Sequence, residues 1–137
     1  MVYLVCGPPC SGKSTYIKSN ASDGDLICDV DLIYGAISTH DPHDADLYIH
    51  EIALLLKDKL LDIIRERKGT WKDAYVVSIA STKEKVKRDK DRINADKVIF
   101  LNTPYEVCMD RAKERDFAFS LLIQEWFDEN NLDNYYD

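Results

Sequence analysis

The sequence lacks the features that mark several specialised classes of protein. Its four cysteines are widely spaced and include no C-x-x-C pair, which argues against a disulfide framework or a zinc site. No apolar run approaches the length of a membrane span, and no basic leader follows Met1. We therefore expect a soluble, cytoplasmic protein with reduced thiols and no membrane partner.

Positive charge is absent from the end of the chain. Residues 116–137 contain no Lys or Arg, and their carboxylates account for most of the formal net charge of −7. This acidic excess does not favour broad binding to nucleic acid. The basic segment 83–92 could still steer a phosphorylated substrate, although a solvated helix face explains its charges as well.

The chain length and the alternation of its patterns predict one α/β domain. A length of 137 residues suffices for a core without disulfides. We place that core in residues 1–115 of a single domain over residues 1–137, followed by an acidic C-terminal segment, residues 116–137. The predicted strands are 2–6, 25–28, 74–80 and 97–101. The predicted helices are 14–20, 32–38, 45–68, 104–115 and 120–129.

Strands that alternate with helices imply a three-layer α/β/α fold with a short parallel sheet of four or five strands. Ligands of such sheets bind at the carboxyl ends of the strands. In the long helix, the apolar residues at helical spacing are Ile52, Leu55, Leu56, Leu60, Ile63 and Ile64. Thr103, Pro104 and Glu106 predict a capping box with proline at the first helical position.

A phosphate-binding loop is predicted directly after the first strand. The stretch from Gly7 to Ser14 reads GPPCSGKS and matches the pattern G-x-x-x-x-G-K-[ST] at every fixed position. Glycines at both ends let backbone N–H groups surround a β-phosphate. Lys13 would reach the β- and γ-phosphates, and Ser14 would ligate Mg²⁺. The predicted ATP-binding residues are Gly7, Pro8, Pro9, Cys10, Ser11, Gly12, Lys13, Ser14 and Thr15.

Polar side chains also follow the second and third predicted strands. Asp29 and Asp31 come after the second strand, and Ser81 and Thr82 come after the third. Asp29 is expected to reach the water shell of Mg²⁺ beside Ser14, although both aspartates could instead cap the next helix. The third strand lacks the acidic pair of motor ATPases, which favours transfer to an acceptor over water activation.

These motifs together resemble those of the small P-loop kinases of the polynucleotide 5′-kinase and zeta-toxin type, a group with short phage-encoded members. The resemblance covers the phosphate loop, the Asp-x-Asp pattern and the Thr-Pro-x-Glu helix. It implies a P-loop NTPase fold in which Asp31 accepts the proton of the acceptor hydroxyl. Arg111 and Arg115 match the lid arginines, and Tyr34 stands where family members often carry an arginine for the acceptor phosphate.

The spacing of the two arginines, i and i+4, puts both guanidinium groups on one helix face, as a clamp on a transferring phosphate requires. The alternative is that Arg111 and Arg115 pair with acidic neighbours on a solvated face, namely Asp110, Glu114 or Glu106.

The combined prediction is a phosphotransferase that moves the γ-phosphate of Mg·ATP to a nucleotide-like or nucleic-acid-end acceptor. The predicted catalytic residues are Lys13, Asp31, Arg111 and Arg115. The predicted metal ligands are Ser14 and Asp29, and the predicted acceptor-binding residues are Tyr34, Ser81, Thr82 and Arg88. The alternative is an ATP-binding or slow ATPase module, for example in phage assembly or packaging, that phosphorylates nothing.

Overall fold

Strands and helices alternate along the computed structural model, which describes residues 1–39, 46–115 and 117–133. The strands are β1 Val2–Cys6, β2 Leu26–Cys28, β3 Ala74–Ser78 and β4 Lys97–Phe100. The helices are α1 Lys13–Asn20, α2 Val30–Ile37, α3 Leu47–Arg65, α4 Lys83–Ile93, α5 Tyr105–Ala112 and α6 Ala118–Asp133. None of these described helices is long and apolar enough to cross a membrane.

The four strands form one parallel sheet in the order β2-β3-β1-β4. Cys6 at the end of β1 lies level with Ser78 of β3 and Phe100 of β4. The loops that leave these strands therefore share one edge of the sheet. The prediction of an α/β fold with a four-stranded parallel sheet is confirmed, and the described residues contain no fifth strand.

Both faces of the sheet are covered by helices, as the period-2 alternation of side chains in β1 requires. On one face, Leu4 and its neighbours pack against Ile64 of α3 and Ile93 of α4. On the other face, Val5 packs with Tyr75 and with Ile17 of α1. This arrangement is compatible with the three-layer α/β/α architecture.

The buried side of α3 differs from the apolar pattern in the sequence. Its buried residues are Ala53, Leu61 and Ile64. Three residues of the predicted apolar set, Ile52, Leu55 and Leu56, are instead 44–60% exposed. The first half of α3 is apolar nearly all round, so spacing alone does not determine which side packs against α2 and the sheet.

Several element ends also differ from the predictions. Helix α5 begins after Pro104, which is the N-cap and makes no side-chain cap hydrogen bond, so the predicted capping box is wrong. The Thr103 hydroxyl donates instead to the carbonyl oxygen of Ser11, at 2.7 Å. Strand β2 begins at Leu26, one residue after its predicted start, and α6 is longer than the predicted helix 120–129. The predicted link 39–44 and the start of the long helix at Ala45 lie, apart from Thr39, outside the described residues.

Candidate functional site

The loop between β1 and α1 depends on its two glycines. Gly12 is the N-cap of α1 and has a φ of 96°. Residues other than glycine rarely adopt this left-handed backbone conformation. At Gly7, a Cβ atom would lie 2.5 Å from the hydroxyl oxygen of Ser11 and 3.2 Å from the Cβ of Leu101. A larger residue at either position would therefore open or distort the loop.

Lys13 lies inside this loop and is only 8% exposed. Its ammonium donates to the carbonyl oxygens of Gly7, at 2.9 Å, and Pro8, at 2.7 Å. Burial lowers the pKa of Lys13 from its usual 10.5 to about 8. The fold thus holds a cation, at a cost in solvation, at the centre of the loop.

The amino end of α1 supplies hydrogen-bond donors beside this cation. The amides of the first helical turn, from Lys13 to Thr15, have no acceptor within an α-helix, and no side chain caps α1. The helix dipole adds positive potential at the same point. The loop and helix end therefore fit the phosphates of a nucleotide.

Ser14 and Asp29 bring two oxygen ligands together next to the loop. The Ser14 hydroxyl donates to Asp29 Oδ2 at 3.5 Å, and Asp29 is 7% exposed. A hydroxyl and one carboxylate suit Mg²⁺, which keeps most of its water and binds substrate phosphates. Within the described part of the chain no cluster of three His, Cys, Asp or Glu residues could hold a metal alone.

Asp29 is also the N-cap of α2. Its Oδ1 accepts a hydrogen bond from the backbone N–H of Asp31 at 2.9 Å. The helix-cap alternative therefore applies to Asp29, which serves as a cap and as a neighbour of Ser14. Asp31 is exposed in the first turn of α2.

Arg111 and Arg115 both contact the phosphate loop at Cys10. Arg111 Nη1 donates to the carbonyl oxygen of Cys10 at 3.0 Å, and Arg115 Nη1 lies 3.5 Å from its sulfur. The Arg115 guanidinium also lies over the ring of Phe119, 5.5 Å from the ring centroid. Because α5 ends at Ala112, Arg115 lies in the turn beyond the helix, and the prediction of one shared helix face is wrong.

The four predicted acceptor-binding residues are each engaged in contacts with other parts of the protein. Tyr34 is 1% exposed, and its hydroxyl accepts a hydrogen bond from the backbone N–H of Asp46 at 2.8 Å. Thr82 caps α4, because its hydroxyl accepts a hydrogen bond from the backbone N–H of Lys85. Arg88 forms an exposed ion pair with its neighbour Asp89.

Ser81, the fourth of these residues, is buried under α6. Its hydroxyl donates to the Glu129 carboxylate at 2.6 Å, and its carbonyl oxygen accepts from the Asn130 amide at 3.2 Å. Lys85 also donates to Glu129. The hydrogen bond from Lys85, followed by the bond from Ser81, lowers the pKa of the Glu129 carboxyl.

A further contact fastens α6 to the chain after β3, because Trp126 donates to the carbonyl oxygen of Ile79 at 2.7 Å. The acidic composition of residues 116–137 gave no signal for these contacts.

The structure thus gathers a buried lysine, a hydroxyl–carboxylate pair and two guanidinium groups around one loop. This arrangement can bind a polyphosphate and neutralise charge on it. A scan of protein-family models found no match to the chain, and a search of curated proteins found no significantly similar sequence. Any functional assignment therefore depends on the residues and contacts described above.

Proposed function

We propose that the protein is a Mg·ATP-dependent phosphotransferase of the P-loop kinase type. The observation that carries the proposal is the convergence of Arg111 and Arg115 on Cys10, in a loop that already holds Lys13. These cations come from opposite ends of the chain. An arrangement that only bound phosphate would need the loop and its lysine, whereas transfer also calls for cations that stabilise developing charge.

In the proposed binding step, the loop amides and Lys13 hold the β- and γ-phosphates. Lys13 exchanges its hydrogen bonds to the Gly7 and Pro8 carbonyls for bonds to phosphate oxygens. These charged bonds offset part of the desolvation cost of the buried ammonium. Ser14 and Asp29 would hold Mg²⁺, which would neutralise part of the negative charge of the phosphates.

In the proposed transfer step, the acceptor hydroxyl oxygen forms a bond to the γ-phosphorus as the bond to the β-phosphate oxygen breaks. Asp31 orients the hydroxyl and takes its proton, and ADP leaves. Asp31 is exposed at the start of α2, on the surface that an acceptor from solvent would approach. Arg111 and Arg115 stabilise the charge on the transferring group.

The proposed acceptor is a hydroxyl or phosphate of a nucleotide or of a nucleic-acid end, and the proposed location is the cytoplasm. A second candidate is an ATP-binding or slow ATPase module without an acceptor. One observation favours this second candidate: the hydroxyl groups of Tyr34, Ser81 and Thr82 are already hydrogen-bonded within the protein, to Asp46, Glu129 and Lys85.

The test is phosphoryl transfer from γ-labelled Mg·ATP to a panel of nucleosides, nucleotides and 5′-hydroxyl oligonucleotides. We expect Asp31→Asn to lower turnover by about two to four orders of magnitude with little change in ATP affinity. Arg111→Ala should lower it roughly a hundredfold. Lys113→Ala is the matched control, because Lys113 is an exposed cation on the same turn that pairs only with Asp110 among the contacts described.

Three results would count against the proposal. Near wild-type transfer by Asp31→Asn would show that Asp31 is not the general base. Tight ATP binding with no transfer to any acceptor would favour the module without kinase activity. Unchanged Mg·ATP affinity in Lys13→Ala, measured by calorimetry, would overturn the nucleotide site itself.

A further inference from the structure

A cleft of about 250 Å³ lies between the start of α5 and the second half of α6. Its lining residues are Tyr105, Gln124, Phe127, Asp128 and Asn131. Two aromatic rings form part of the wall, with the rings of Tyr105 and Phe127 edge to face at 5.5 Å. The Phe127 ring also packs edge to face with Trp126, at 4.9 Å between centroids.

The lining of this cleft has the chemistry of a nucleobase site. Aromatic rings provide flat surfaces for stacking, which is the usual protein contact for a base. The amides of Gln124 and Asn131 each offer a donor and an acceptor, and the Asp128 carboxylate accepts from an exocyclic amine. No side chain of the lining carries a positive charge, so the cleft does not suit a phosphate.

Two connections link the wall of the cleft to the loop between β1 and α1. Thr103 donates to the Ser11 carbonyl oxygen, and Tyr105 follows only two residues later, a span of at most about 7 Å along the chain. Phe127 and Cys10 pack against the same buried cluster of Cys108, Ala112 and Ile123. The wall of the cleft and the loop are therefore fixed to one rigid group.

We propose that this cleft binds the purine base of the nucleotide whose phosphates are held by residues 7–15. A fused-ring base places its face on Tyr105 and its polar edge toward Gln124, Asp128 and Asn131. The volume is sufficient for a purine, whose fused rings offer a larger stacking face to Tyr105 than a single-ring base does. This inference rests on the proposed nucleotide site and extends it to base recognition.

The test compares Mg·ATP with Mg·tripolyphosphate, which has three linked phosphates but no ribose and no base. Isothermal titration should show tighter binding of Mg·ATP to the wild-type protein, and weaker binding of Mg·CTP. Tyr105→Ala should weaken Mg·ATP about tenfold through lost stacking while leaving Mg·tripolyphosphate unchanged. Gln124→Ala, at an exposed side chain, should weaken Mg·ATP less. Tyr48→Ala removes a tyrosine that is 82% exposed on α3 and serves as the control.

The two-ligand design separates this inference from the function on which it rests. Equal wild-type affinity for Mg·ATP and Mg·tripolyphosphate would overturn the base site while leaving the phosphate site intact. Unchanged Mg·ATP affinity in both Tyr105→Ala and Gln124→Ala would overturn it too, as would an equal loss for both ligands. Failure of the wild type to bind either ligand would overturn the proposed function and, with it, this inference.

Discussion

Lys13 is the residue at which folding and phosphate binding make opposite demands. Burial favours the neutral amine and lowers its pKa to about 8, whereas a phosphate needs the ammonium. The carbonyl oxygens of Gly7 and Pro8 compensate the buried charge only in part. In the proposed site, phosphate would therefore be bound by a cation that is less stable than that of an exposed lysine.

This conflict predicts a pH dependence of nucleotide binding. Above pH 8 the protein must gain a proton on Lys13 to bind, so Mg·ATP affinity should fall by about tenfold per pH unit. Calorimetric titrations between pH 7 and 9.5 measure it. Lys113→Met, which neutralises an exposed lysine, should keep the wild-type profile; a flat wild-type profile would show that Lys13 does not carry the binding charge.

Unfolding should respond to the same residue with the opposite trend. Between pH 8 and 10.5 the unfolded chain keeps the Lys13 proton that the folded protein has released. The contribution of Lys13 to the free energy of unfolding therefore rises with pH across this window and is lowest below pH 8. Lys13→Met, measured by urea unfolding, should lack this rise.

Asp29 is the N-cap of α2 and, in the proposed site, a ligand of Mg²⁺, and substitution can separate these two roles. Asparagine caps helices about as well as aspartate, so Asp29→Asn should keep the stability of α2 within about 0.5 kcal/mol. The loss of charge beside Ser14 should raise the Mg²⁺ concentration needed for ATP binding about 10- to 100-fold.

Asp29→Ala is the matched comparison, because it removes the cap as well and should cost about 1 kcal/mol in stability. Thermal unfolding and Mg²⁺ titrations in the presence of ATP give the two readouts. An unchanged Mg²⁺ requirement in Asp29→Asn would leave this residue as a helix cap alone.

The elements that were predicted well depend on local sequence signals. The strand before the loop is a short run of buried residues, and Gly12 with its left-handed φ starts α1 where the motif places it. Gly69, after the long helix, likewise has a φ of 99°. Such signals act through the backbone of a few neighbouring residues, so they can be recognised without knowledge of the fold.

The elements that were predicted poorly depend on partners far along the chain. Thr103 has a suitable cap position, but its hydroxyl bonds to Ser11, 92 residues away. Ser81 looks like an open strand-end hydroxyl, yet Glu129 and Asn130 of α6 cover it. Periodicity along one helix carries no information about such distant acceptors, and so the sequence predicts only a short helix within this acidic segment.

Helix α6 should contribute measurably to stability through Trp126. Trp126→Phe keeps an aromatic ring but leaves the Ile79 carbonyl oxygen without this donor, which should cost about 1–3 kcal/mol. Urea unfolding measures the loss. Trp71→Phe is the control, because the indole of Trp71 donates to Lys68 at a more exposed site and its loss should cost less. Equal costs for the two variants would show that the Trp126 bond does not fasten α6.

At the scale of the whole molecule, the proposed phosphate chemistry and a stabilising polar network lie at opposite edges of the sheet. The carboxyl edge carries the phosphate loop, Asp29 and the two arginines. The amino edge is tied by a polar network in which Asp96 accepts from the Val2 backbone N–H at 2.7 Å. Arg67 donates to the carbonyl oxygens of Ile93 and Asn94 in the same region, at 2.9 and 2.8 Å.

This separation predicts that acid weakens the fold through the amino edge without involving the phosphate loop. The hydrogen bond from Val2, aided by the charge of Arg67, lowers the pKa of the Asp96 carboxyl below its ordinary value near 3.8. A carboxyl with a lowered pKa stabilises the folded state above pH 4, and this contribution is lost as the pH falls through its folded pKa.

The substitution Asp96→Asn tests this prediction, because asparagine keeps an acceptor for Val2 but cannot titrate. The wild type should therefore exceed Asp96→Asn in free energy of unfolding at pH 6, and the difference should shrink toward zero below pH 3 in urea titrations. Mg·ATP affinity at pH 7 should be the same in both proteins, since Asp96 and the loop lie at opposite ends of the strands. A difference in stability that stays constant from pH 6 to pH 3 would mean that the charge of Asp96 does not hold the amino edge together.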